Sequence, residues 1–182
     1  MLFRSIEAAL AAPDATRPGG APVVALLQIN NLWDINNLRG LGTLDRVTVA
    51  LARRLEELSD GAARVTGAVF GALAVPADHG CHDAAALARR LQTELSRPLD
   101  LGKELVTADV IVGAVPLAGI TSAQEAISRA GLAMAGAKKD RRRPWRVYQP
   151  TMLNAALGRA ALREDLSAAV AEIGRASCRE RV

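Results

Sequence analysis

The stretch Ala62-Ala63-Arg64-Val65-Thr66-Gly67-Ala68-Val69-Phe70-Gly71-Ala72-Leu73-Ala74-Val75 consists of two short apolar runs that meet at Thr66-Gly67-Ala68. This pattern predicts a β-hairpin. Gly67 can take a positive φ at little steric cost, and a tight turn with glycine at its first central position follows the twist of the strands beside it. The tip of such a hairpin is held at the edge of a sheet, where a short polar motif could do chemistry. Thr, Gly, Ala and Val stand there instead. None of them holds a metal ion, titrates near neutral pH or acts as a strong nucleophile.

Upstream of the hairpin, Leu44, Val47, Leu51, Leu55 and Leu58 form one stripe of an amphipathic helix that begins at Gly42 or Thr43 and stops at Asp60-Gly61. Before it, Val23 to Ile29 is apolar almost throughout, which predicts a central strand buried on both faces. Asn30 to Asn37 makes a short helix or turn, broken at Arg39-Gly40-Leu41-Gly42. Leu2 to Leu10 has the spacing of an amphipathic helix, ended by the Pro- and Gly-rich loop Pro13 to Pro22.

Downstream, a polar loop (Pro76 to His82) leads to Asp83, which caps a helix through Leu87, Leu91 and Leu95 that Pro98 ends. Thr107 to Val115 reads as a strand. Ser122 and Glu125 have capping-box spacing and open a helix that runs to Lys138, and Arg146-Val147-Tyr148 is a last strand. This order predicts a mixed α/β sandwich with a largely antiparallel sheet over residues 1–150. Residues 151–171 form a connector helix that leads towards a further domain, with Leu153, Leu157, Leu162 and Leu166 at helical spacing, and 172–182 reads as a non-native or disordered tail.

Half of the 182 residues are hydrophobic and 23% are charged, the composition of one globular domain with an appendage. Aromatics are only 3%, so small aliphatic side chains must build the core. The net charge of +4 owes much to Arg175, Arg179 and Arg181 in the tail, and charge therefore argues for neither nucleic acid nor a membrane partner. Two distant cysteines, Cys81 and Cys178, without a signal peptide point to a reducing, cytoplasmic setting. No apolar run approaches the ~20 residues of a membrane span.

Other constellations are weak. His79, Cys81 and His82 with Asp78 and Asp83 read better as an ordinary loop than as a metal site. Gly40-Leu41-Gly42 lacks the preceding strand and the third glycine of a dinucleotide fingerprint. Lys138 to Arg143 reads better as a solvated basic helix end, favoured by the macrodipole, than as a nucleic-acid contact. Trp33 and Trp145 read as core or rim packing.

Four stretches carry a resemblance. Met1-Leu2-Phe3-Arg4 sits where "NR-x-LF" would, and Asn36, Asn37, Gly40 and Asp45 fall on "N-D-x-x-G-H-x-x-G-D". Arg64 to Phe70 fills the slot of "R-x-G-G-D-E-F", and Ala137 to Arg143 that of "A-K-x-x-G-R-N". In this order and setting they resemble the GGDEF domain, the module that makes cyclic di-GMP from two GTP molecules. The resemblance runs from Met1 to about Met152 and implies a nucleotide-cyclase-like, ferredoxin-like palm. It also implies that Asn36 and Asp45 meet the guanine edge and that Lys138 and Arg142 meet phosphates.

The departures set the expected function. Thr66, Gly67, Ala68, Val69 and Phe70 stand in place of Gly-Gly-Asp-Glu-Phe, so both acids are absent. The place of the family's metal-binding Asp falls on Asn30, the stretch from there to Asn36 is shorter than the family's, and Asp34 is a nearby carboxylate out of register. Joining a ribose 3′-hydroxyl to an α-phosphate needs cations held by carboxylates. Losing that contribution slows the step by at least ~10³-fold.

The expectation is a degenerate domain with no catalytic residues, no protein-held metal and no tight Mg²⁺ binding, with GTP as the ligand the resemblance implies. For Asn36 and Asp45, capping and loop hydrogen bonding is the competing reading. Glu57 replaces the Arg of the family's product-inhibition R-x-x-D while Asp60 keeps the Asp, so that site is expected to be dead. Arg159 to Leu166 resembles the lead-in to an EAL-type phosphodiesterase domain, the expected linked partner, and a homodimer is left open. An active cyclase with an unusual metal site, with Asp34 as the candidate ligand, and a purely structural dimerisation module are the alternatives.

Overall fold

The computed structural model describes residues 2–11, 20–102, 104–140, 142–159, 161–162 and 166. The chain divides into two units, Met1–Tyr148 and Gln149–Val182. In the second, residues 150–159 are helical, as are 161, 162 and 166. The proposed tail, 172–182, and most of the loop Pro13 to Pro22 lie outside the described residues.

The first unit runs α1 (Leu2–Ala11), β1 (Val23–Ile29), α2 (Leu32–Arg39), α3 (Leu41–Glu57), β2 (Gly61–Thr66) and β3 (Val69–Ala74). A 3₁₀ turn at Pro76–His79 follows, then α4 (Ala84–Leu95), β4 (Leu99–Asp100), β5 (Leu105–Val106), β6 (Val110–Pro116), α5 (Ala123–Lys139) and β7 (Trp145–Val147). The main sheet has the order β2-β3-β1-β6-β7, and β4 and β5 form a separate small hairpin. Within the main sheet every pair is antiparallel except β6 with β7. This is the mixed α/β architecture with a mostly antiparallel sheet that the element order predicts.

β1 is central, and its continuous apolar run is what a strand covered on both faces requires. Val23, Ala25, Leu27 and Ile29 pack with Val47, Leu51 and Leu55 of α3 and Leu87, Leu91 and Leu95 of α4. Val24 and Leu26 point the other way, to Leu2 and Ile6 of α1 and Ala123, Ala126 and Ala130 of α5. The two-residue period of a strand thus splits one sequence run between two cores.

Local chemistry fixes the element ends. Asp83 Oδ1 accepts from Ala86 N–H at 2.7 Å, capping α4. Ser122 Oγ accepts from Glu125 N–H at 3.2 Å, while the Glu125 carboxylate reaches back to Thr121, one residue before the usual capping-box partner. Gly40, at φ 79°, separates α2 from α3, so α3 begins at Leu41 rather than at Gly42 or Thr43. The Trp33 reading needs correction. Ile35 is the one fully buried residue of α2, and Trp33, on the outward side of that short helix, is 74% exposed. No helix among the described residues is long and apolar enough to cross a membrane.

Candidate functional site

The hairpin turns at Gly67, with φ 42°, and Ala68, and Arg64 Nε donates to Gly67 O at 2.7 Å across it. Antiparallel register sets Gln28 opposite Val69 on one flank of β1 and opposite Ile111 on the other. Gln28 has the parity of Val24 and Leu26, and Val69 packs against the same α1/α5 cluster. Val69, Gln28 and Ile111 therefore form a row across three strands on the α5 face.

Two residues that hold one ion from adjacent strands converge best when directly opposed, where Cβ atoms come within ~5 Å. The residue facing the hairpin slot is accordingly Gln28, whereas Asn30 lies beyond the end of β1. Reading β1 through to Asn36 without a gap also removes the shortened stretch that the placement on Asn30 implies. Val69 has no donor atom and Gln28 offers only a neutral amide oxygen. These residues do not fit a tightly held Mg²⁺ ion, which needs at least one or two carboxylates.

Two residues further along the same face, β1 and β6 end in a polar arrangement that the hairpin motif does not reveal. Asn30 N–H donates to Asp109 O at 2.7 Å, and Asn30 Nδ2 donates to Asp109 Oδ2 at 2.9 Å. Asn31 Oδ1 accepts from Asp109 N–H at 2.8 Å, and its Nδ2 donates to Thr107 O at 3.1 Å. Asp109 is thus held in place from both asparagines. It borders an open cavity of about 400 Å³ together with Asn30, Ile111, Ala137, Lys138, Asp140 and Pro144. Asp140 is already committed there. Its carboxylate accepts from Arg146 Nη2 at 3.0 Å and from Arg142 N–H at 3.1 Å, and these bonds, Arg146 first, hold its pKa below the ordinary value.

Of the four residues that the resemblance assigns to the nucleotide, Lys138 is exposed and lines this cavity, while Arg142, also exposed, follows Asp140 and does not line it. Asn36, half-buried, lies in α2, and Asp45, exposed, in α3, one on each side of the Gly40 break. Gly40 N–H donates to the Asn36 backbone carbonyl at 2.8 Å, and α3 has no side-chain cap. Among the described residues neither the Asn36 nor the Asp45 side chain has a hydrogen-bond or ion-pair partner.

What holds the α2–α3 corner is a residue that periodicity does not single out. Glu104, in the loop between β4 and β5, takes Arg39 Nη1 at 2.6 Å, Thr43 Oγ1 at 3.0 Å and Arg46 Nη2 at 3.0 Å. The hydrogen bond from Arg39, then that from Thr43, keeps its carboxyl below the ordinary value. A carboxyl whose pKa is lower in the folded state stabilises that state fully above its unfolded value, and the contribution is lost as pH falls towards the folded one. Thermal stability is therefore expected to fall on acidification from about pH 5 towards pH 3. The gap between the wild type and Glu104→Gln should be widest at neutral pH and close in acid, as melting curves over that range would read.

The remaining candidates are committed elsewhere. Asp60 accepts from Val75 N–H at 2.8 Å and from His79 Nε2 at 3.1 Å. His82 Nε2 is 3.4 Å from Asp83, and Cys81 is buried with its thiol donating to His79 O. Among the described residues no group of three or more His, Cys, Asp or Glu side chains is placed to hold a metal ion. Arg143 lies over the Trp145 ring at 5.4 Å.

The chain is similar to several solved structures. An EAL/GGDEF domain protein from M. capsulatus is 25% identical, with 82% of this chain and 98% of that chain covered and a TM-score of 0.62. A diguanylate cyclase/phosphodiesterase from Caldicellulosiruptor saccharolyticus is 17% identical, with 76% and 80% covered and a TM-score of 0.64. The GGDEF domain of DgcB from Caulobacter crescentus, solved in complex with c-di-GMP, is 23% identical, with 81% and 84% covered and a TM-score of 0.58. No curated protein matches the sequence. Residues 2–144 match the family described as "Diguanylate cyclase, GGDEF domain", which is nearly the whole first unit. With the family's sheet, its hairpin at residues 61–74 and its landmarks in order, the chain belongs to the GGDEF domain family.

Proposed function

We propose that this GGDEF domain is catalytically inactive and acts as a regulatory module in cyclic di-GMP signalling. It binds GTP and passes its occupancy to a linked EAL-type phosphodiesterase domain in the cytoplasm. The observation that carries the reading is the Gln28–Val69 pair, which puts an amide and an aliphatic side chain where two carboxylates would have to share an ion. Nucleotide recognition rests on Asn36, whose amide offers a donor and an acceptor, and Asp45, which accepts from the N–H groups of the guanine edge. Lys138 and Arg142 supply positive charge for the phosphates. The chain by itself does not hold Mg²⁺ tightly.

Product inhibition has no support in this chain. Asp60 is engaged by Val75 and His79, and Glu57 would repel the two phosphodiester groups of the product. The linkage to a phosphodiesterase is supported by the resemblance of Arg159 to Leu166 to an EAL lead-in, and by the names of the M. capsulatus protein, which pairs EAL with GGDEF, and of the C. saccharolyticus protein, which pairs diguanylate cyclase with phosphodiesterase.

Isothermal titration with GTP tests the reading. Heat of binding is expected, and Asn36→Ala or Asp45→Ala should weaken it by about tenfold or more, since a lost hydrogen bond to a charged or base-edge group is worth ~1.5–3 kcal/mol. An absence of heat with any nucleotide would leave a structural dimerisation module, and light scattering on the same sample would then measure it.

A further inference from the structure

The cavity at the ends of β1 and β6 is lined by the Asp109 carboxylate, to which the GTP-binding reading gives no role, and by the Lys138 ammonium group, which that reading gives to the phosphates. Asp109 is pinned by Asn30 and Asn31, yet its Oδ1 has no described partner. Asn30 must turn its Nδ2 to Asp109, because a carboxylate only accepts, and this leaves Asn30 Oδ1 free as a second oxygen. Lys138 borders the same cavity and makes no ion pair with Asp109 or Asp140 among the described residues. The Asp140 carboxylate is neutralised by Arg146.

We propose that Asp109 and Asn30 hold a divalent cation that arrives on the phosphates of a bound nucleotide, while Lys138 takes phosphate oxygens beside it. The inference rests on the GTP-binding reading and adds to it where the phosphate end lies and how its charge is met. With Asp109 and Lys138 both on its lining and Asp140 paired with Arg146, the cavity carries almost no net charge. A bare triphosphate would be repelled by Asp109 and a bare cation by Lys138, so the two bind better together than apart. Mg²⁺ is commonly held in this way, by one or two protein oxygens plus substrate phosphates and water. The donor set differs from the hairpin slot, since Asp109 precedes β6 and Val69 lies in β3, strands that flank β1 on opposite sides roughly 10 Å apart.

The test compares GTP affinity by titration calorimetry in Mg²⁺ and in EDTA, for the wild type, Asp109→Asn and Lys138→Ala. For the wild type, Mg²⁺ should tighten GTP binding about tenfold. Asp109→Asn keeps an acceptor for Asn30 Nδ2 and so retains the fold, yet it should bring the ratio close to one by weakening binding in Mg²⁺ and strengthening it in EDTA. Lys138→Ala should weaken both. If GTP binds and Asp109→Asn leaves the Mg²⁺ gain intact, or if the wild type shows no gain, this cation site is overturned and GTP binding stands. If no heat appears in either buffer, both are overturned.

Discussion

Incubated with GTP and Mg²⁺ or Mn²⁺, this chain is expected to form cyclic di-GMP at least ~10³-fold more slowly than a GGDEF domain that carries both hairpin acids. The reaction brings two polyanions together and develops further charge on the attacking and leaving oxygens. Metal ions held by carboxylates carry much of that stabilisation, worth several kcal/mol, and each ~1.4 kcal/mol is a factor of ten. The inactive reading rests on the residues that stand at the hairpin slot. Ala68 and Val69 replace the hairpin acids, and the residue directly opposed to Val69 is Gln28. A cation at Asp109 does not repair this, because Asp109 precedes β6, on the side of β1 away from β3, and the hairpin itself still has no carboxylate. Chromatography of the products measures the outcome, and turnover within about tenfold of an intact domain would overturn the inactive reading. Gln28→Asp combined with Val69→Glu should create divalent-cation binding at the hairpin slot, and either change alone should give a weaker site there.

Much of this architecture is legible in the chain because its strands and helices obey their own periods. The unbroken run Val23–Ile29 reads as a central strand, and the structure divides it between two cores. Asp83, Ser122 and Glu125 are readable as caps because cap chemistry is local. The hairpin is readable from two short apolar runs that meet at Thr66-Gly67-Ala68. What sequence does not disclose is cross-strand register, which depends on long-range pairing. Asn30 falls on the strand-end position by the resemblance, whereas the pairing of Gln28 with Val69, together with an ungapped run to Asn36, points to Gln28. Asp109 and Glu104 escape for the same reason. Each sits in a short irregular stretch, and its partners lie 55 or more residues away in the chain, as the separations of 79 for Asn30–Asp109 and 58 for Arg46–Glu104 illustrate. Local pattern carries no trace of such pairs.

Gly113→Ala is expected to destabilise the first unit by about 3 kcal/mol, the upper part of the range for overpacking a close contact, and to lower its melting temperature by roughly 10 °C. Gly113 lies in β6 between Leu26 of β1 and Arg146 of β7, and α5 crosses directly over it. α5 presents Ala123, Ala126, Ala130, Ala133 and Ala137 to the core, small side chains that let its backbone approach the sheet. A Cβ at Gly113 would overlap the Ala130 carbonyl and the backbone of Met134, and backbone in a helix cannot step aside alone. The whole of α5 would have to lift. Gly113 does not have a positive φ, so alanine suits its backbone conformation, and the lower entropy of the unfolded variant works against the loss. Gly71→Ala is the internal comparison. Its Cβ would first meet the end of the Leu2 side chain, which can rotate, and the expected cost is about 1 kcal/mol. If the two variants melt within about 2 °C of each other, the close approach of α5 to β6 is not what holds the helix down. If Gly113→Ala alone is severe, its GTP affinity in Mg²⁺ should fall as well, because lifting α5 withdraws Lys138 and Ala137 from the cavity that Asp109 borders.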